Sequence, residues 1–191
     1  MDGGEIPDLV YCPAEDSFLL LRAALGEVRP TDRVLEVGTG SGYVAAGLLG
    51  RAAAGVATDI NPFAVGCARA RGLAAVRTDL AAGLCGPFDL ILFNPPYLPT
   101  APEERINDWL EYALDGGPTG RVVIERFVAE IGRVLAPFGR VLLLVSSLTG
   151  PDAVRELFAR AGFVSFIVDE ERVEDETLYV IRAMRDLCRA G

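Results

Sequence analysis

Residues 34–49 read VLEVGTGSGYVAAGLL: an apolar run, a turn with glycine at every second position, then a helical stretch. Gly38, Gly40 and Gly42 permit a tight turn and let a ligand approach the backbone closely. The same alternation continues on either side. RVLEV (33–37), GVATDI (55–60), AVRTDL (75–80), DLILF (89–93) and RVLLLVS (140–146) are short and apolar. Unbroken apolar runs such as the last two suit parallel strands covered on both faces. Helix patterns lie between them. NPFAVGCARARG (61–72) opens with Asn61 as N-cap and Pro62 at the first helical position, and it stops at Gly72. In 121–135, Val123, Phe127, Ile131 and Val134 recur at helical spacing. Ahead of the first strand, a helix from about Pro13 to Leu25 carries Phe18, Leu21 and Leu25 on one face, after a loosely held arm over residues 1–12.

The end of the chain is different. SFIVDEERV (165–173) and TLYVIRAMR (177–185) are joined by a few acidic residues. So short a link makes a hairpin, and the sheet finishes antiparallel. The expected architecture is α/β: one domain over residues 1–191, a seven-stranded sheet of order 3-2-1-4-5-7-6, and helices on both faces.

Composition narrows the chemistry. The chain has 191 residues with no histidine, and all 18 basic residues are arginine. Imidazole catalysis, lysine Schiff bases and the Walker lysine are thereby excluded. The four cysteines, Cys12, Cys67, Cys85 and Cys188, are scattered without a C-x-x-C pair, which reads as free thiols and no metal site. A formal charge of −9, with 27 acidic residues, argues against a general nucleic-acid binder. No apolar run reaches the ~18 residues that span a bilayer. The acidic start MDGGEIPDLVY lacks a signal core, so a cytoplasmic location is expected.

The glycine turn follows Glu36 and has the spacing G-x-G-x-G, not the dinucleotide G-x-G-x-x-G. Asp59 closes the second strand, where a carboxylate can accept from both hydroxyls of a ribose. Asp79 closes the third, where it can accept from an exocyclic amine while Leu80 covers a purine face. Three carboxylates around one turn fit a cationic nucleoside. S-adenosylmethionine suits them better than a dinucleotide.

After the fourth strand the chain leaves through Asn94, Pro95, Pro96 and Tyr97. Two prolines cannot continue a strand, and they lack N–H. The Asn94 oxygen and the Pro95 carbonyl can therefore accept from one planar NH2 group with no competing donor, and Tyr97 can stack on it. Beside an activated methyl donor, this slot needs only to align a nitrogen.

Together, EVGTGSG, TDINP and NPPY resemble the class I S-adenosylmethionine-dependent methyltransferases that modify amino nitrogens. ALDGGPTGRVVIERF (113–127) and VYCPAEDSFLLLRAAL (10–25) are similar to the HemK/PrmC group, in its shorter archaeal and eukaryotic branch. The resemblance implies a Rossmann-like methyltransferase sheet. It also implies methylation of the glutamine N5 in the Gly-Gly-Gln loop of a translation release factor. It places Ser17, Glu36, Gly38, Gly40, Gly42, Asp59, Ile60, Asp79, Leu80 and Asn94 around the cofactor, and Asn94 to Tyr97 around the substrate amide. The implied partner is a small zinc-binding activator subunit that pairs with a sheet edge and covers apolar surface. A mean hydropathy of +0.32 is consistent with such cover.

Other readings stay open on sequence alone. Adenine N6 in DNA or RNA, or another protein amine such as lysine, would fit the same corner, and a non-catalytic scaffold could keep the fold. Residues 98–120 read as a lid hinged at Gly116, Gly117 and Gly120, with Arg105 and Arg121 as possible substrate contacts.

Overall fold

A computed structural model describes residues 7–100 and 108–188. The chain order is α1 (Glu15–Glu27), β1 (Arg33–Val37), α2 (Tyr43–Gly47), β2 (Ala54–Asp59), α3 (Pro62–Ala70), β3 (Ala74–Arg77) and β4 (Phe88–Phe93). A 3-10 turn (Glu111–Ala113) then leads to α4 (Val122–Ile131), β5 (Leu135–Ser146), α5 (Pro151–Arg160), β6 (Phe163–Val173) and β7 (Glu176–Arg185). The seven strands form one sheet, β3-β2-β1-β4-β5-β7-β6. Neighbours among β1 to β5 are parallel, while β7 runs antiparallel to β5 and to β6. The expected order and the antiparallel finish are both found.

Alternation along the central strands fills two cores. Ile91 and Phe93 point with Val141 and Leu143 to the face covered by α4 and α5, where Phe127, Ile131 and Phe158 are sealed. Leu90 and Leu92 point with Leu142 and Leu144 to the other face, against Leu19, Leu20 and Ala24 of α1 and Val44 of α2. A run apolar at every position is what a strand needs when both its faces are covered. At the opening of α3, the Asn61 side chain accepts from the Phe63 N–H at 2.9 Å, with Pro62 next in the chain, as its cap motif predicts. Near the starts of β1 and β4, Arg140 of β5 is buried and donates to Asp32 at 2.7 Å and to Glu27 at 3.2 Å. That cluster pins the end of the sheet remote from the glycine turn.

Four expectations need correction. The buried face of α1 is Asp16, Ser17, Leu19, Leu20 and Ala24, whereas Phe18 and Leu25 are 49% and 38% exposed. Polar groups occupy core-facing positions there because they line a cavity, which erases the apolar period. β3 ends at Arg77, so Asp79 lies in the loop beyond it and does not close the strand. α4 buries Ile124 and Val128 beside Phe127 and Ile131, while Val123 borders the cavity. β5 begins at Leu135, hidden in sequence by Pro137 and Gly139 and irregular in register against β4.

Candidate active site

The C-terminal ends of β1, β2 and β4 open into one cavity of about 340 Å³. This is the switch point of the sheet, where the chain turns left from β1 to β2 and right to β4, and where open α/β sheets bind ligands. Gly38, Gly40 and Gly42 all have positive φ, from 53° to 79°. The turn is laced by the Thr39 N–H to the Thr58 carbonyl and by the Gly42 N–H to the Thr39 carbonyl, at 2.9 and 2.8 Å. Gly38 and Gly40 line the cavity. Gly42 does not: a Cβ there would sit 3.0 Å from the Ala68 Cα, so this glycine lets α2 pack on α3. That sets it apart from the ligand contact expected of it.

The three carboxylates take distinct settings. Glu36 is buried and accepts from the Thr39 hydroxyl and from the Ala45 N–H at 3.2 Å. Burial pushes its carboxyl up to about 8 from 4.5, against the opposing pull of those two donors. The folded chain thus holds a proton that the unfolded chain releases. Stability from this group is complete below about 4.5 and is lost as pH rises through about 8. Glu36→Gln is expected to flatten the loss of denaturant stability between those pH values; an unchanged slope would remove Glu36 as its source. Asp59 accepts from the Gly40 N–H at 2.9 Å and the Asn61 N–H at 2.8 Å, which fixes its carboxylate toward the turn. Burial raises its pKa, and these backbone donors oppose the rise. Asp79 stands at the rim and is paired with Arg126 at 2.5 Å. Its neighbour Leu80 is held at φ 47°, a conformation costing a branched apolar residue on the order of 1–3 kcal/mol. Ile60 and Leu80 both line the cavity.

Asn94, Pro95, Pro96 and Tyr97 border the same space. The Asn94 side-chain oxygen is buried and accepts no hydrogen bond among the described residues. Such an acceptor costs about 1–3 kcal/mol unless something fills it. Tyr97 is half-buried, and its phenol is raised by desolvation and by Asp16, Glu176 and Glu15. Ser17 donates to Asp16 at 3.1 Å, and Tyr11 donates to the other Asp16 oxygen at 3.0 Å.

Tyr11, Asp16, Trp109, Tyr112, Arg126 and Glu176 also line the cavity and escaped sequence reasoning. Asp16 adjoins Ser17 in the quoted motif; Tyr11, Trp109 and Tyr112 lie outside the α-helices and strands, Arg126 is a polar position of α4 and Glu176 opens β7, and none of them carries an apolar periodic signal. Arg121 does not face the cavity but donates to the Thr149 carbonyl at 2.6 Å. Arg105 and the rest of 101–107 lie outside the described residues. The glycines of the expected lid form a clasp instead of a hinge. Leu98 bridges Asp115, and the Gly116 N–H donates to the Leu98 carbonyl at 2.9 Å. Gly120 lies so close behind Tyr97 that a Cβ would fall 2.4 Å from its carbonyl oxygen.

All four cysteines are unpaired. Among the described residues no helix is long and apolar enough to cross a membrane.

No protein-family model matches the chain. It is 40% identical over 183 residues, 92% of each chain, to a Methanocaldococcus jannaschii protein named as a candidate N5-glutamine methyltransferase. It is 36% identical to the human methyltransferase HEMK2, over 91% of this chain and 88% of that one. Its fold matches Mtq2 of E. cuniculi with a TM-score of 0.76 and 30% identity, over 93% of this chain and 99% of that one. That structure is of a Mtq2–Trm112 complex responsible for methylating the translation termination factor eRF1. With the glycine turn, the strand-end carboxylates and the NPPY corner gathered on a 3-2-1-4-5-7-6 sheet, the chain belongs to the HemK/PrmC group of class I S-adenosylmethionine-dependent methyltransferases.

Proposed function

We propose that the chain transfers a methyl group from S-adenosylmethionine to the side-chain N5 of the glutamine in the Gly-Gly-Gln motif of a translation release factor. The carrying observation is the buried, unpartnered Asn94 oxygen, set at the end of β4 ahead of two residues without N–H. An amide NH2 offers two donors in one plane, and the Asn94 oxygen and Pro95 carbonyl supply two acceptors. Tyr97 gives the planar group a face to lie on. Holding both N–H groups directs the nitrogen lone pair and makes it more electron-rich.

The cavity fits the cofactor on its own terms. Asp59 offers a carboxylate fixed toward the turn, Glu36 a buried carboxyl beneath it, Leu80 an apolar surface, and Asp79 an acceptor at the rim. S-adenosylmethionine, when bound, supplies a methyl carbon already activated by sulfonium charge. The protein's own task is then alignment, which requires neither imidazole nor lysine.

Asp59→Ala is expected to weaken S-adenosylhomocysteine binding roughly ten- to hundredfold, the scale of charged hydrogen bonds lost together. Calorimetry checks it, and unchanged affinity would remove Asp59 from the ribose end.

A small zinc-binding activator is the proposed partner, supported by the Trm112 subunit of the E. cuniculi complex. Both free sheet edges expose apolar side chains, Val76 on β3 and Phe166 and Ile167 on β6. The proposed site of action is the cytoplasm, where release factors work. The deciding experiment is mass spectrometry of the matching release factor after incubation with cofactor, with and without the activator. One added methyl on the Gly-Gly-Gln glutamine supports the reading. No methyl in either mix, with cofactor binding intact, refutes it.

A further inference from the structure

The described residues ahead of α4 place an aromatic pair in the wall of the cavity. The Trp109 and Tyr112 ring centroids are 5.4 Å apart with an interplanar angle of 33°, and both rings line the cavity. Behind Trp109 stands Arg77, its guanidinium carbon 5.6 Å from the indole centroid. Arg77 ends β3 and donates to the Ile60 carbonyl at 3.1 Å. It therefore ties the end of β3, ahead of Asp79 and Leu80, to Ile60, the residue after Asp59. In the sheet β3 lies three strands from β4, roughly 14 Å at ordinary strand spacing. The aromatic pair thus belongs to the flank away from the NPPY corner. An arginine stacked on a half-buried indole fixes the ring's plane before any ligand arrives.

We propose that Trp109, fixed by Arg77 and flanked by Tyr112, is the wall that covers the purine of the nucleoside cofactor. This rests on the cofactor reading above. Ile60 and Leu80 supply apolar surface from the sheet, Asp79 meets the exocyclic amine, and Trp109 closes the side that the strand ends leave open. The same segment reaches Leu98 through Asp115, so the wall and the substrate corner are parts of one loop.

The chain holds a single tryptophan, so its emission reports on this ring alone. The experiment titrates the full chain with S-adenosylhomocysteine and with adenosine, following emission and heat in parallel. A saturable emission change with both ligands is expected. Trp109→Ala should raise the calorimetric Kd of both by roughly tenfold, the scale of one base–aromatic stack, and Trp109→Phe should restore most of it. Normal binding heat with unchanged emission, or a Trp109→Ala affinity equal to wild type, overturns the proposal. So does a loss confined to S-adenosylhomocysteine, which would put Trp109 at the amino-acid end. If the wild-type chain gives no binding heat with S-adenosylhomocysteine, the cofactor reading itself fails and takes this one with it.

Discussion

Asn94→Ala is expected to lower single-turnover methyl transfer by roughly 10²–10³-fold, the usual cost of deleting one preorganised polar group at a reacting centre. The same variant should bind S-adenosylhomocysteine with little change, because Glu36, Asp59 and Asp79 remain. It should also melt no lower than the wild type. The Asn94 oxygen is buried without a partner, so deleting it removes a desolvated acceptor and no folded-state hydrogen bond of that oxygen. A variant that loses activity while keeping or gaining stability is the signature of a group retained for function against stability. Mass spectrometry of the release factor, calorimetry and thermal unfolding read the three quantities separately. An equal loss of cofactor affinity would show that Asn94 serves cofactor binding instead of the acceptor amide. A large fall in melting temperature would show that its side chain is structural.

The parts of this fold legible in sequence are those whose cause is local. β1 and β4 are short runs that must be buried on both faces, and the helix opening at Asn61 follows from a cap and a proline. The NPPY corner is legible because its residue types have few other uses at the end of a strand. Other features depend on what packs from afar. Asp16 and Ser17 hold core-facing positions on α1 because a cavity lies beneath them, so the apolar pattern pointed to Phe18 and Leu25. Asp79 looked like a strand end, yet β3 stops at Arg77 and leaves Leu80 at positive φ. Trp109 reaches the cavity from the β4–α4 connection and Arg126 from a polar position of α4, where no apolar periodicity marks them. Glycines suggest mobility in sequence, but here they mark places where two backbones nearly touch.

Gly120→Ala separates those two meanings of glycine. Gly120 has φ 67°, and an added Cβ would lie 2.4 Å from the Tyr97 carbonyl oxygen. Gly116 leaves no room behind it, since its own Cβ position is 2.7 Å from the Gly120 Cα. The methyl must therefore push Tyr97 toward the cavity or unzip the bridge between Leu98 and Asp115. Left-handed backbone costs an alanine about 1 kcal/mol, and overpacking adds about 1–3 kcal/mol. Together they predict a melting temperature lower by roughly 4–15 °C for a chain of this size. At temperatures where the variant stays folded, methyl transfer should still fall severalfold or more, because Tyr97 is displaced from the amide slot. Gly72→Ala supplies the comparison: φ is 84° there, and nothing lies within 4 Å of an added Cβ. It should show the backbone cost alone, with activity intact. A hinge at Gly120 predicts a different outcome, in which alanine costs no more than at Gly72 and slows an opening step without lowering the melt any further. Equal melting temperatures in the two variants would restore the hinge, and a deeper loss at Gly120 establishes the clasp behind Tyr97.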